Sequence, residues 1–159
     1  MDKTVLVNTL IEKKLTVCTA ESCTGGLIAS YITDIPGASY VFNEGFITYS
    51  NEAKIKLLGV KKDALDKFGA VSELVCRQMC QGARINSGSD FGLSTTGIAG
   101  PDGGSDDKPV GTVFVGLSYD GDCIIEKCFF SGDRKQVRQQ AADKALSMLM
   151  DYLCNMNKS

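Results

Sequence analysis

The sequence predicts an α/β fold, with helices on both faces of a mixed, mostly parallel sheet. Three observations carry that expectation. Segments with helical spacing alternate with short β-branched, apolar runs; the early apolar runs lead directly into helices; and the last two runs flank a short Asp-Gly turn. Strands that alternate with helices pair in parallel, whereas a tight turn joins antiparallel neighbours.

Each element follows from its residues. Leu6, Leu10 and Ile11 recur at helical spacing among charges, which predicts a helix over 3–14. Residues 16–20 (TVCTA) are short and apolar, as a buried strand is. A helix over 25–34 carries Leu27, Ile28, Tyr31, Ile32 and Ile35 as one stripe and is stopped by Pro36-Gly37. The aromatic, β-branched run 41–50 predicts a strand, followed by a helix over 51–58 that ends at Gly59. Ser72 is placed to cap a helix that runs through Ile85, with Leu74, Val75, Met79 and Ala83 facing inward. Residues 91–96 form the next strand and lead into GIAGPDGGSDDKP, whose glycines, prolines and aspartates exclude regular structure. Strands over 110–119 and 123–130 then make a hairpin, and a helix from Arg134 to about Leu153 ends the series.

Composition bounds the function. The chain has 159 residues, 43% hydrophobic and 23% charged, enough for one globular domain over 1–159. A net charge of -2 argues against non-specific nucleic-acid binding, which needs clustered cations. No apolar run reaches the length of a membrane span, and the first residues lack the pattern of a secretory signal, so a cytoplasmic protein is expected. Seven cysteines, an odd number without a C-x-x-C pair, fit a reducing compartment. Cys18, Cys76, Cys80, Cys123 and Cys128 read as buried, inert thiols. The chain contains no histidine. Ser-His-Asp and Cys-His catalysis are thereby removed, along with most zinc and non-haem iron sites, and no metal is expected. A general base must be Lys, Asp, Glu or Tyr.

In open α/β sheets, ligands bind beyond the carboxyl ends of the parallel strands. Three unusual segments fall at such ends: 21–26, 49–54 and 96–108. In the first, Ser22 stands between a strand and a helix, where free N–H groups and the helix dipole favour an anion. Gly25 and Gly26 allow close approach to the backbone. Ser22 and Thr24 serve equally well as helix caps, and this segment alone leaves both roles open. Lys54 lies in the first turn of the next helix, where the dipole disfavours an ammonium ion. With histidine absent, a Ser–Lys pair is the leading arrangement for nucleophilic catalysis, set against a solvated lysine like Lys56, Lys61 and Lys62. Cys23, also at the helix start, is a rival nucleophile. Arg134 and Arg138 lie one turn apart and either clamp a phosphate or remain surface charges.

The runs TAESCTGG (19–26), GFITYSNEAKIKLLGV (45–60), GAVSE (69–73), TTGIAGPDGGSDDKPVGTV (95–113) and FSGDR (130–134) closely resemble the CinA carboxy-terminal domain family, in order and across nearly the whole chain. Stand-alone members of that family include PncC-type nicotinamide-mononucleotide deamidases. The resemblance implies a three-layer α/β/α domain and hydrolysis of nicotinamide mononucleotide to nicotinic acid mononucleotide and ammonia, in NAD synthesis or recycling. It places the serine nucleophile on Ser22, with Tyr49, Lys54 and Thr96 as its partners, and it implies no cofactor. Thr24, Gly25, Gly26, Thr96, Gly97, Arg134 and Arg138 are then expected to bind substrate. In the expected mechanism Lys54, acting directly or through Tyr49, deprotonates Ser22. A homodimer is expected from the apolar helix faces. The family's association with competence keeps a rival in view: a regulatory domain that binds nucleotide without turnover.

Overall fold

The computed structural model describes residues 1–156. Five strands form one sheet in the order β2-β1-β3-β4-β5. Strand β1 (Val17–Glu21) lies between β2 (Phe42–Ile47) and β3 (Phe91–Gly97) and is parallel to both. Strand β4 (Thr112–Tyr119) runs antiparallel to β3, and β5 (Asp122–Phe129) antiparallel to β4. The mixed sheet expected from the sequence is therefore parallel in its first half and antiparallel in its second. The hairpin turn is just Asp120-Gly121, where Gly121 takes φ +82° as a tight turn demands.

Alternation along the central strands assigns the layers. Val17 and Leu93 join the cluster formed with α1 (Lys3–Lys13), α2 (Leu27–Thr33) and α6 (Arg134–Met156), through Leu6, Leu10, Ile28, Ala141 and Leu146. Cys18 and Ala20 point the other way, toward α3 (Asn51–Leu58), α4 (Lys62–Phe68) and α5 (Glu73–Ser87), meeting Leu58, Leu65, Val75 and Met79. The result is the α/β/α sandwich. Burial of each apolar stripe holds it, at about 25 cal/mol per Å² removed from water. Helix α5 sits tightly on the sheet: a Cβ at Gly92 would collide with the Cys80 carbonyl.

Some boundaries differ from expectation, for local reasons. Helix α2 begins at Leu27 because Gly25 and Gly26 both hold positive φ, +58° and +94°, which interrupts a right-handed helix. Strand β2 is a short, largely exposed edge that stops at Ile47. Helix α4 was not expected; it has seven residues, no side-chain cap, and only Ala64 and Leu65 buried. Among the thiols, Cys18 and Cys76 are buried, and burial raises both above their ordinary value. Cys128 is only half-buried. Cys80 and Cys123 are buried as expected, and a hydrogen bond with Cys80 and the Arg77 guanidinium, 2.9 Å from its sulfur, hold the Cys123 thiol below its ordinary value.

Candidate active site

Parallel pairing brings the carboxyl ends of β2, β1 and β3 to one edge, and the chain leaves each strand there. Ser22 follows β1, Tyr49 to Lys54 follow β2, and Thr96-Gly97 close β3. An open cleft of about 200 Å³ lies over this edge. It is lined by Ser22, Lys54 and Tyr49, with Thr96, Gly97 and Arg134 beside them. The three separated segments thus meet.

Lys54 is the decisive side chain. It is only 1% exposed, and its Nζ lies 3.1 Å from Ser22 Oγ and donates to Thr48 O at 2.7 Å. Local sequence makes that possible: Ser50 caps α3 by accepting from Ala53 N–H, which places Lys54 on the helix face turned toward β1. Burial holds the Lys54 amine below its ordinary value, because a desolvated ammonium is penalised. A neutral amine has two N–H groups and one lone pair. With Thr48 O taking one N–H, the lone pair is free to accept the Ser22 proton. The pair is direct, and Tyr49 does not stand between its members. Tyr49 is 60% exposed, and its hydroxyl accepts from Arg134 Nη2 at 2.9 Å.

The glycine loop is organised by a residue that sequence reasoning passed over. Glu21 is fully buried, and its carboxylate accepts from Gly26 N–H and Ile28 N–H at 3.0 Å, from Ala29 N–H at 2.9 Å and from the Thr24 hydroxyl at 2.7 Å. The start of α2, expected to receive a ligand anion, is therefore occupied by the chain's own carboxylate. The Thr24 hydroxyl and the Gly25 and Gly26 N–H groups, expected at the substrate, are thus engaged within the loop. The Thr24 hydroxyl is spent on Glu21 and Thr95, Gly25 N–H donates to Ser22 O at 3.0 Å, and none of the three lines the cleft. Its only sequence signal was an acid at the end of a buried strand. Replacing Glu21 with alanine is expected to cost about 3 kcal/mol, since several buried donors lose a charged acceptor. Chemical denaturation would read that loss, and a midpoint equal to the wild type would contradict it.

Cys23 is a poor nucleophile here. It is 6% exposed, and burial pushes its thiol up to about 11, with the nearby Glu21 charge acting in the same direction. Burial therefore outweighs any lowering expected at the helix start. Arg134 donates through Nη1 to Gly100 O at 2.8 Å, joining the 97–108 loop to Tyr49 across the cleft. Arg138 departs from the expected clamp. It lies outside the cleft lining and donates to the carbonyls of Cys23 and Thr24. The Thr96 hydroxyl donates to Ala70 O at 2.8 Å, fixing the wall formed by Ala70 and Val71. Asn51 and Ala99 also line the cleft and were not anticipated.

The fold and site together define an α/β/α domain with a half-buried serine against a buried lysine at the carboxyl edge of a mixed sheet. The chain belongs to the CinA family, the model of whose C-terminal domain matches residues 2–153. It is 55% identical over 149 residues to a putative competence-damage inducible protein of Clostridium beijerinckii, covering 94% of this chain and 36% of that protein. A CinA-like protein of Kosmotoga olearia is 52% identical over 145 residues, 91% of this chain and 35% of its own length. The chain thus spans about a third of the curated relatives it matches. Among solved structures, the competence/damage inducible protein CihA of Agrobacterium tumefaciens superposes with a TM-score of 0.89 at 41% identity, covering 95% of both chains. A CinA superfamily protein of Klebsiella pneumoniae gives 0.92 at 33% identity, covering 96% of both. Among the described residues no helix is long and apolar enough to cross a membrane.

Proposed function

We propose that the chain is an amidohydrolase that converts nicotinamide mononucleotide to nicotinic acid mononucleotide and ammonia through the Ser22–Lys54 pair. One observation carries the chemical part: a buried amine, held below its ordinary value, lies 3.1 Å from a serine hydroxyl in an open cleft. The substrate comes from the resemblance of the site motifs to the deamidases. A regulatory module without turnover would gain nothing from burying a lysine against that hydroxyl, a costly arrangement that perturbed active-site groups commonly share.

In this reading Lys54 Nζ takes the Ser22 proton as Oγ bonds to the carboxamide carbon, and the carbonyl oxygen becomes an oxyanion. The N–H groups of Cys23, Thr24 and Gly97 are the candidate donors to it, since Gly25 and Gly26 are committed elsewhere. Protonated Lys54 then gives its proton to the amide nitrogen, the C–N bond breaks, and ammonia leaves. Water attacks the resulting ester, Lys54 takes its proton, and that proton returns to Ser22 Oγ. The pyridinium ring makes the carbonyl carbon more electrophilic. Ala70, Val71 and Ala99 offer the ring an apolar wall, and Arg134 with Asn51 offers donors to the phosphate.

Ammonia release from nicotinamide mononucleotide, free nicotinamide and NAD tests the reading. Turnover of the mononucleotide alone is expected. Equal turnover of free nicotinamide would remove phosphate recognition, and release from none of the three would remove the amidase. The pH profile adds a second check. Only the neutral amine accepts a proton, so kcat/KM should fall as pH drops through the lowered Lys54 value. The rising limb should lie below 10.5, the ordinary lysine value. A limb centred at the ordinary lysine value would contradict the assignment.

A further inference from the structure

Arg138 sits in the second turn of α6, yet its guanidinium reaches the loop that carries the nucleophile, 115 residues earlier. Nε donates to Cys23 O at 3.0 Å and Nη2 to Thr24 O at 2.7 Å. Gly25 lies directly against this group: a Cβ there would be 3.4 Å from Arg138 Nη2. From inside the loop Glu21 holds the N–H groups of Gly26, Ile28 and Ala29. Two side chains of opposite charge therefore grip the segment, one by its carbonyls and the other by its amides.

The consequence follows from peptide geometry. A planar trans peptide directs its N–H opposite to its C=O. Drawing Cys23 O onto Arg138 turns the Thr24 N–H away from the guanidinium. Drawing Thr24 O onto it turns the Gly25 N–H toward Ser22 O, which it meets at 3.0 Å, closing the turn that presents Ser22. A cationic donor on a carbonyl also polarises that peptide and strengthens its N–H as a donor. A lysine supplies a single point charge and does not reproduce a planar fork on two successive carbonyls.

We propose that Arg138 is a positioning residue that sets the 22–25 turn, so that Ser22 Oγ meets Lys54 and the adjoining N–H groups receive the oxyanion. This rests on the amidase reading and deepens it. Arg138 is assigned to the nucleophile rather than to the substrate phosphate, and the two arginines of α6 have different tasks. Arg134 faces the cleft, and Arg138 holds the loop behind it.

The test uses Arg138→Ala and Arg138→Lys in the full chain with three readouts. These are ammonia release from nicotinamide mononucleotide, ammonia release from the phosphate-free riboside, and the rate at which a fluorophosphonate probe labels Ser22. For Arg138→Ala, kcat is expected to fall roughly 10²-fold on both substrates, with KM for the mononucleotide little changed. Probe labelling should slow in parallel, Arg138→Lys should stay low, and added guanidinium ion should restore part of the alanine variant's rate. A raised KM confined to the mononucleotide, with labelling and riboside turnover intact, would make Arg138 a phosphate contact and overturn the proposal. Unchanged kcat and labelling would overturn it as well. If the wild type is labelled at Ser22 but releases no ammonia, the substrate reading fails, and the labelling rates of the variants still decide the role of Arg138. Should the alanine variant melt near assay temperature, the lysine variant carries the comparison, and labelling at the wild-type rate would count against positioning.

Discussion

Ser22→Ala is expected to lower ammonia release from nicotinamide mononucleotide by about 10⁴-fold or more while leaving the fold intact. The hydroxyl is the atom that bonds to the carboxamide carbon, and no neighbouring group can replace it. Cys23 adjoins it, but its thiol is pushed up to about 11 and is almost fully buried. Stability should hold because, among the described residues, the Ser22 hydroxyl bonds only Lys54, whose Nζ keeps Thr48 O. The backbone of Ser22 remains tied to Thr95 O and to Gly25 N–H. Substrate affinity should survive too, since the cleft walls are untouched, and calorimetric titration of the variant would show it. A variant that turns over at a near-normal rate would end the nucleophile assignment.

Lys54→Met is expected to abolish turnover to a similar degree and, unlike most core substitutions, to leave the melting temperature unchanged or higher. Methionine approximates the lysine stem in volume and shape but has no amine to desolvate. Burying an ionisable amine is costly, so its apolar replacement is neutral to stabilising, even allowing for the hydrogen bond lost at Thr48 O. A gain in stability paired with loss of activity marks a group retained for chemistry. Lys54→Arg should also be inactive, because a guanidinium stays protonated at any working pH. Ammonia assays and thermal melts on the same preparations measure both halves. A Met variant that is fully active would require another base, and one that unfolds would mean that Lys54 serves the fold first.

Long, periodic elements were legible in the sequence, and so was the meeting of three strand ends, because the order of strands and helices dictates that edge. Helix α4 was not legible: seven residues without a capping side chain leave little periodic signal. The start of α2 was misplaced because paired glycines look permissive in sequence, whereas here both adopt positive φ. In the candidate site, the exclusion of histidine and the positions of their segments made Ser22 and Lys54 candidates, with a helix cap and a surface lysine still open, and the resemblance to the family assigned their roles. Glu21 and Arg138 could not be assigned in the same way. A carboxylate beside a glycine loop and an arginine on a helix face suit a ligand as well as they suit the backbone. Only the fold shows that Glu21 occupies the helix terminus and that Arg138 grips carbonyls 115 and 114 residues away. Arg134, four residues earlier, reaches the cleft that Arg138 does not line.

The central claim is that Ser22 forms a covalent ester during amide hydrolysis. The most direct measurement is a rapid acid quench of the wild-type protein turning over nicotinamide mononucleotide, followed by mass mapping of its peptides. The account predicts that the peptide bearing Ser22 gains the mass of the substrate's acyl group, with the added mass located on the serine. Ammonia release with that added mass on Cys23 instead, or with the Ser22 peptide unmodified at every quench time, would contradict it.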